Sequence, residues 1–220
     1  KTSVTFYLEA IFRALGETTA LSNSSERQIA DTRFYTKLTT PEAPELHAML
    51  AVAGEAGVGM FALEASAQAI ERHRLDGLVA QVAGFTNLSH DHFEDFGDMD
   101  SYLERKLALF QPNMSTRAVV SLESEWGHTV VERSGVPVVT VGDGASGADW
   151  VIDELSSDGW GQRFSLRGPA GELHTSINAV GSHMVRNAAL ALVMAVESGV
   201  SIQQLQVVNR DHGGIDVTVP

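Results

Sequence analysis

The chain has 220 residues, of which 44% are hydrophobic, and its formal net charge at pH 7 is -13. A chain of this length and composition can bury a sizeable core, so we expect a globular protein of one large domain or two small ones. Its 15 Lys and Arg residues are outnumbered by 28 Asp and Glu residues. Because the basic residues form no run, the sequence argues against a nucleic-acid partner.

Cysteine is absent, which excludes disulfides, thiolate zinc sites and cysteine nucleophiles and leaves Asp, Glu and His as metal ligands. The longest uninterrupted apolar run, 188–196, is far shorter than the roughly 20 residues of a membrane helix. The first residues have an amphipathic helix pattern without the layout of a signal peptide. We therefore expect a cytoplasmic protein without membrane insertion.

Hydrophobic periodicity predicts an alternation of strands and helices. Helical spacing predicts helices at 3–15, after Thr40-Pro41-Glu42, near 67–73, from about Met99, at 124–132 and at 183–197. Short apolar runs predict buried strands at 58–63, 78–85, 117–122 and 137–141. The polar stretch 22–37 is typical of loops or short strands. This alternation favours an α/β fold with a doubly wound, mostly parallel sheet flanked by helices.

The glycine-rich region between the last predicted strand and the last long helix has a different pattern. Short segments at 150–155, 162–166 and 172–175 are typical of antiparallel strands. They predict a small antiparallel β appendage around 145–178. Because the sequence has no repeat and no clear linker, we expect residues 1–220 to form a single domain.

An acidic and histidine-rich loop follows the strand predicted at 78–85. It contains His90, Asp91, His92, Glu94, Asp95 and Asp98. Ligands of open α/β sheets bind at the carboxyl ends of strands, and oxygen-rich clusters suit hard divalent cations. From composition alone, a solvated acidic loop is the alternative.

The residues 86–110 follow the pattern TNLxxDHxxxxGxMxxYxxxKxxLF, which resembles the Mur ligase family, above all its UDP-N-acetylmuramoyl-tripeptide synthetase branch. The resemblance implies a central ATP-binding domain of the P-loop NTPase type that uses ATP and Mg²⁺. It also implies that His92 binds magnesium and that Lys106 is carbamylated and helps to hold the metal. Carbamylation turns a cationic amine into an anionic oxygen ligand. An ordinary exposed helix lysine is the alternative for Lys106.

The segment FALEASAQAIERHRL resembles the glutamate-x-serine motif of the same family. The resemblance implies that Glu64 is a second magnesium ligand and that Ser66 and Arg74 contact the muramoyl peptide. A buried carboxylate needs a partner, and a metal is one such partner. The alternatives are an exposed strand end for Glu64 and a helix-surface position for Arg74.

The segment LTTPE, 38–42, is similar to the family's paired threonines, which implies that Thr39 and Thr40 bind the UDP-sugar substrate. The alternative is a helix cap, which threonine before proline often provides.

Both ends of the chain resemble nucleotide-binding segments of the family. Lys1-Thr2-Ser3 is similar to the end of a P-loop, in which the lysine reaches the phosphates and Thr2 binds magnesium. The glycine-rich part of that loop would precede Lys1. The helix VGSHMVRNAALALVMA carries Asn187, whose matching position faces the adenine. A helix asparagine that acts as a cap or faces water is the alternative.

The sequence departs from the family pattern at Ala67, Arg72, Phe96, His183 and Met184. These departures affect the substrate and adenine assignments, whereas the magnesium set of Glu64, His92 and Lys106 is intact.

The resemblance implies a ligase that forms an acyl phosphate on UDP-N-acetylmuramoyl-L-alanyl-D-glutamate and then adds a diamino acid. Its partners would be the UDP-muramoyl peptide, the amino acid, and the N-terminal and C-terminal domains of the same enzyme, which are absent from this chain. The alternatives are a related ligase of the folylpolyglutamate or cyanophycin synthetase type and a noncatalytic nucleotide-binding module. These residues do not distinguish lysine from diaminopimelate as the added amino acid.

Overall fold

Strands and helices alternate along the chain in the computed structural model, which describes residues 1–35, 37–88 and 97–212. The strands are β1 (Thr19–Ser22), β2 (Arg27–Ile29), β3 (Thr32–Phe34), β4 (Met60–Leu63), β5 (Ala83–Phe85), β6 (Ala118–Ser121), β7 (Val138–Asp143), β8 (Trp150–Asp158), β9 (Gly161–Gly168) and β10 (Gly171–Ile177). The helices are α1 (Thr2–Ala14), α2 (Ala43–Glu55), α3 (Ala67–Glu71), α4 (Met99–Leu107), α5 (Glu125–Arg133), α6 (Ser182–Glu197) and α7 (Ile202–His212). A 3-10 turn, Ala108–Phe110, continues α4. Within these ranges no helix has the length and apolar content that crossing a bilayer requires.

The strands form two sheets. The smaller sheet has the order β3-β2-β1-β4, with β1 and β4 parallel and the other pairs antiparallel. The larger sheet has the order β10-β9-β8-β7-β6-β5. Its strands β5, β6, β7 and β8 are parallel neighbours, and β9 and β10 add an antiparallel edge. The predicted α/β class with a mostly parallel arrangement is confirmed.

The antiparallel strands expected around 145–178 are present, but they continue the parallel sheet directly. Trp150 at the start of β8 pairs with Val141 of β7, and its side chain is only 1% exposed. Trp150 is part of the main core, and the predicted antiparallel strands extend the edge of the parallel sheet through the pairing of β8 with β7.

Helices cover both faces of the larger sheet. Val119 and Val120 of β6 are both fully buried, and consecutive strand residues point to opposite faces. Val119 belongs to the core that contains α1 and α6, and Val120 belongs to the core that contains α4 and α5. A strand with apolar residues on both faces is the signature of a sheet covered on both sides, as the sequence predicted.

The close approach of α6 to β5 depends on a glycine. A Cβ atom at Gly84 would lie 2.6 Å from the sulfur of Met194, which is closer than real side chains approach. Since glycine has no Cβ, the helix can pack directly on the strand. This contact places α6 behind the strand that leads into the acidic loop.

Some element boundaries differ from prediction. The strand expected at 78–85 is confined to β5, and Ala80 forms only an isolated bridge to Ser115. The helix expected near 67–73 ends at Glu71, because the chain turns at His73, whose φ is +58°. The expected strand was based on a local apolar run, whereas the observed strand begins where the chain starts to pair continuously with β6.

An apolar groove separates the two sheets. Its sides are β4 and β5, and in the described part of the chain each of these strands pairs with a neighbour on its far side only. The groove has a volume of about 520 Å³ and is lined further by side chains of α1 and α6, including Leu8 and Met194. Lys1 lies in its lining as well. The groove therefore runs between two strand edges and reaches the start of α1.

Candidate functional site

Glu64 lies at the centre of a polar cluster at the carboxyl end of β4. Its backbone N–H donates to the carbonyl of Ser22, the last residue of β1, at 2.8 Å, so the chain stays aligned with parallel β1 just after the end of β4. The residue is only 5% exposed. Because ligands of α/β sheets bind at carboxyl ends of strands, this carboxylate is well placed for a functional role.

The Glu64 carboxylate contacts residues from two other elements. Lys1 Nζ lies 3.2 Å from its Oε1, and Thr2 Oγ1 donates to its Oε2 at 2.7 Å. The backbone N–H and the hydroxyl of Ser24 each lie 3.3 Å from the same Oε2. The structure thus brings together three of the predicted site residues, Lys1, Thr2 and Glu64, and adds Ser24, which no sequence pattern indicated.

These contacts keep Glu64 ionised. Burial by itself raises the pKa of a carboxyl group, but the charge of Lys1 and the hydrogen bonds from Thr2, Ser24 and Lys1 outweigh it and lower the pKa of Glu64. The cluster therefore contains a buried anion that is balanced by a lysine.

Lys106 is half-buried near the end of α4, a helix capped by the Asp98 side chain, which accepts from the Ser101 N–H at 2.7 Å. Its Nζ lies 4.9 Å from the centre of the Tyr102 ring, one helical turn earlier. Burial and, to a smaller extent, the charge of Lys1 lower the pKa of Lys106 from 10.5 to about 8, although Glu64 opposes the shift. An exposed helix lysine, the alternative reading, does not describe this side chain.

The predicted magnesium set is only partly described. Glu64 and Lys106 influence each other electrostatically, whereas His92 lies outside the described residues, as does Phe96. In ranges 1–35, 37–88 and 97–212, no three His, Asp or Glu side chains form a group that could hold a metal ion. The donors present, a buried carboxylate and the Thr2 hydroxyl, are the oxygen ligands that Mg²⁺ prefers, so their chemistry fits the ion.

The segment of paired threonines lies on the other side of Glu64. Thr40 is fully buried, and its hydroxyl donates to the Glu64 carbonyl at 2.7 Å and accepts from the Ser66 N–H at 3.0 Å. Helix α2 starts later, after Glu42, without a side-chain cap. The helix-cap alternative for Thr40 is therefore wrong. Thr39 is half-buried beside it.

Two buried arginines hold this segment in place. Arg74 donates to the carbonyl of Thr40 at 3.2 Å and pairs with Glu42 at 2.6 Å. Arg27 of β2 pairs with Glu45 and donates to the carbonyl of Leu38 at 3.0 Å. Arg74 is only 5% exposed, so the helix-surface alternative does not describe it. Sequence reasoning missed the roles of Arg27, which belongs to no recognisable motif, and of Glu42, which ends the LTTPE segment but had no role assigned to it.

Ser66 and Asn187 differ in their surroundings. Ser66 is the N-cap of α3, and its hydroxyl accepts from the Ala69 N–H at 3.1 Å. Asn187 is half-buried in the second turn of α6. The contact of Asn187 with adenine stays a prediction.

The fold and the site define a doubly wound α/β domain with a charged cluster at the carboxyl ends of its parallel strands. The sequence profile described as Mur ligase middle domain matches residues 1–195. The chain belongs to this family, and the resemblance noted in the sequence is confirmed.

Relatives with curated names support the same assignment. The chain is 47% identical to a UDP-N-acetylmuramyl-tripeptide synthetase of Leifsonia xyli subsp. xyli over 100% of this chain and 43% of the relative. It is 35% identical to a UDP-N-acetylmuramoyl-L-alanyl-D-glutamate--2,6-diaminopimelate ligase of Streptomyces avermitilis over 92% of this chain and 40% of the relative. The chain thus spans less than half the length of these two proteins.

Solved structures agree. A structure of a UDP-N-acetylmuramoyl-L-alanyl-D-glutamate--2,6-diaminopimelate ligase matches with a TM-score of 0.85 and 25% identity, over 94% of this chain and 43% of that one. A structure described as an FPGS-AMPPCP complex matches with a TM-score of 0.66 and 16% identity, over 94% of this chain and 60% of that one. At 16% identity, the second likeness shows the fold alone.

Proposed function

We propose that the full-length protein is an ATP-dependent ligase of peptidoglycan precursor synthesis and that this chain is its central ATP-binding domain. It would add a diamino acid to UDP-N-acetylmuramoyl-L-alanyl-D-glutamate in the cytoplasm. The names of the relatives support this substrate class. The observation that carries the proposal is the buried Glu64 carboxylate, which Lys1 and Thr2 contact while Lys106 lies within electrostatic reach.

Lys1 and Thr2 are the proposed contacts of the ATP phosphates. A lysine beside a helix N-terminus is suited to anionic phosphates, because its charge and the free N–H groups of the first helical turn attract them. Thr2, Glu64, His92 and Lys106 are the proposed magnesium ligands, and Mg²⁺ would neutralise charge on the transferring phosphoryl group. Asn187 is proposed to contact the adenine.

The surroundings of Lys106 support its proposed carbamylation. With a pKa of about 8, roughly a tenth of the Lys106 amines are neutral at pH 7. The neutral nitrogen forms a bond to the carbon of CO₂ and loses a proton to solvent, which leaves an anionic carbamate. Lys1 and Lys106 are two cations beside a single carboxylate, and the charge of Lys1 makes the protonated form of Lys106 less favourable. Carbamylation removes this repulsion and supplies oxygen donors.

The groove between β4 and β5 is suited to one further strand. Among the residues that the structure describes, the edges of β4 and β5 that face the groove pair with no strand, and apolar side chains of α1 and α6 line it. We propose that a strand preceding Lys1 in the full-length protein occupies this groove and leads through a glycine-rich loop into α1. Such a strand would join the two sheets into one and complete the phosphate-binding loop.

In the proposed reaction, the carboxylate of the UDP-muramoyl dipeptide attacks the γ-phosphorus of ATP, and ADP leaves. The amine of the diamino acid then attacks the acyl phosphate carbon, the amide bond forms, and inorganic phosphate and a proton leave. No protein nucleophile takes part. Thr39, Thr40, Ser66 and Arg74 are proposed to position the muramoyl substrate, and further domains of the same protein would supply the other contacts.

The test is phosphate release by the full-length protein with ATP, Mg²⁺, UDP-N-acetylmuramoyl-L-alanyl-D-glutamate, and either lysine or diaminopimelate. We expect release that requires the UDP-linked substrate and one of the two amino acids. Glu64→Gln should abolish it, whereas Glu71→Gln, an exposed change on α3, should not. A folded protein that binds ATP without release would support a noncatalytic module, and release with a folate substrate and glutamate would support the folylpolyglutamate alternative.

A further inference from the structure

The turn between β1 and β2 is attached firmly to the start of α1. Asn23, which is fully buried, accepts hydrogen bonds on its Oδ1 from the N–H groups of Ser25 at 2.8 Å and Glu26 at 2.9 Å. Its Nδ2 donates to Thr5 Oγ1 at 2.9 Å, and Thr5 in turn donates to the carbonyl of Thr2 at 2.7 Å. The turn and the first helical turn therefore form one hydrogen-bonded unit.

This unit presents Ser24 to the proposed ligand residues. The Ser24 hydroxyl lies 2.8 Å from Thr2 Oγ1, and both its hydroxyl and its N–H lie 3.3 Å from Glu64 Oε2. Because each hydroxyl has one proton and Thr2 donates its own to Oε2 at 2.7 Å, the Ser24 hydroxyl donates to Thr2 Oγ1. The Ser24 N–H is the second donor to this oxygen of Glu64. The other oxygen of Glu64 faces Lys1, so the two oxygens have different partners.

We propose that Ser24 is a positioning residue that orients the Glu64 carboxylate and the Thr2 hydroxyl for the cation. This inference rests on the proposed function, in which both groups are magnesium ligands. A carboxylate that is free to rotate must be ordered when it binds a cation, whereas one whose Oε2 is already hydrogen-bonded presents Oε1 in a fixed direction. Groups that orient metal ligands typically change metal affinity by tenfold or more when they are removed.

The test is Mn²⁺ binding to the nucleotide-free full-length protein, followed by electron paramagnetic resonance. Ser24→Ala should weaken Mn²⁺ binding about tenfold, and Ser24→Thr, which keeps the hydroxyl, should stay within about twofold of wild type. Ser25→Ala is the matched control, because it changes the neighbouring exposed serine and leaves the backbone bond to Asn23. Wild-type Mn²⁺ affinity in Ser24→Ala would overturn the inference.

A second measurement separates positioning from direct contact with the nucleotide. The affinity for AMPPCP without metal should be the same in Ser24→Ala and wild type, since Ser24 acts through Glu64 and Thr2. An equal loss of affinity with and without metal would overturn the positioning role. Glu64→Ala distinguishes the proposed metal site from the proposed role of Ser24. Unchanged Mn²⁺ binding in Glu64→Ala would refute the metal site itself. Weakened binding in Glu64→Ala beside unchanged binding in Ser24→Ala refutes only the role of Ser24.

Discussion

Two clusters of polar side chains meet at Glu64, and they differ in how far their side chains are exposed to solvent. On one side, the Glu64 carboxylate contacts Lys1, whose side chain is 39% exposed and can exchange this partner for a ligand. On the other side, Thr40 binds the Glu64 backbone and is fully buried. The first cluster can therefore respond to a nucleotide or cation, whereas the second stabilises a loop conformation.

This difference means that the same kind of substitution should have different consequences in the two clusters. Changes near the carboxylate should affect chemistry with little effect on folding. Changes near Thr40 should affect local stability first and substrate binding through it, because buried polar groups without partners destabilise the folded state.

The largest expected effect comes from Lys106→Ala in the full-length protein. We expect turnover to fall by about 10²- to 10³-fold, because an oriented electrostatic group near the transferring phosphate is lost. Short carboxylates such as acetate should restore part of the activity by replacing the carbamate oxygens. Phosphate release measures both effects, and Arg105→Ala, which changes the exposed neighbouring residue, is the control. Turnover like that of wild type in Lys106→Ala would eliminate the carbamate as a functional group.

Arg74→Ala tests the second cluster. The Thr40 carbonyl would lose a buried charged donor, so we expect the local free energy of opening to fall by about 2 kcal/mol. The half-exposed Glu42 should add little to this loss. Amide exchange in segment 38–46 should accelerate about 30-fold, since 1.4 kcal/mol corresponds to a factor of ten.

Arg105→Ala serves again as the control, because the ion pair of Arg105 with Glu71 is long and exposed and should leave exchange in 38–46 unchanged. Unchanged exchange in Arg74→Ala together with a raised KM for the UDP-linked substrate would contradict the stabilising role. In that case Arg74 would act as a direct substrate contact, and the contrast between the two clusters would disappear.

The pH dependence of Lys106 carbamylation tests the proposed chemistry of the first cluster. Burial lowers the pKa of this amine from 10.5 to about 8, so the folded protein binds fewer protons than the unfolded chain between these values. The resulting contribution to stability is complete above pH 10.5 and is lost as the pH falls through 8. As the pH rises over the same range, the fraction of Lys106 in the neutral form that can react with CO₂ increases.

At constant dissolved CO₂, the initial rate of carbamate formation should follow the neutral amine and rise about tenfold between pH 7 and pH 9, levelling off above. Incorporation of ¹³CO₂ followed by ¹³C NMR measures this rate, and Lys106→Arg should remove the signal. A rate that continues to rise tenfold for each pH unit up to pH 10 would show that the pKa is not lowered.

The sequence predicted the fold better than the site. Strand and helix periodicities are local, so the alternation and the burial of β6 on both faces could be read from neighbouring residues such as Val119 and Val120. The cluster at Glu64 instead joins Glu64 to residues that are 40 to 63 positions away in the sequence. Family resemblance indicated Glu64 and Thr2, but Ser24 has no motif, because its role depends on a turn that Asn23 holds. The helix-cap interpretation of Thr40 failed for a similar reason, since its partners lie beyond β4.

The smallest expected effect comes from Ser66, which caps α3 and whose N–H donates to the Thr40 hydroxyl of the second cluster. Ser66→Ala removes the N-cap acceptor for Ala69, which should destabilise α3 by about 1 kcal/mol and accelerate its amide exchange about fivefold. Ser66→Asn keeps a capping oxygen and should restore protection. If the hydroxyl acts only as a cap, Ser66→Asn should also restore the KM for the UDP-linked substrate. If α3 is protected in Ser66→Asn while the KM stays high, the hydroxyl itself contacts the substrate, and Ser66 belongs functionally to the exchangeable cluster instead of the structural one.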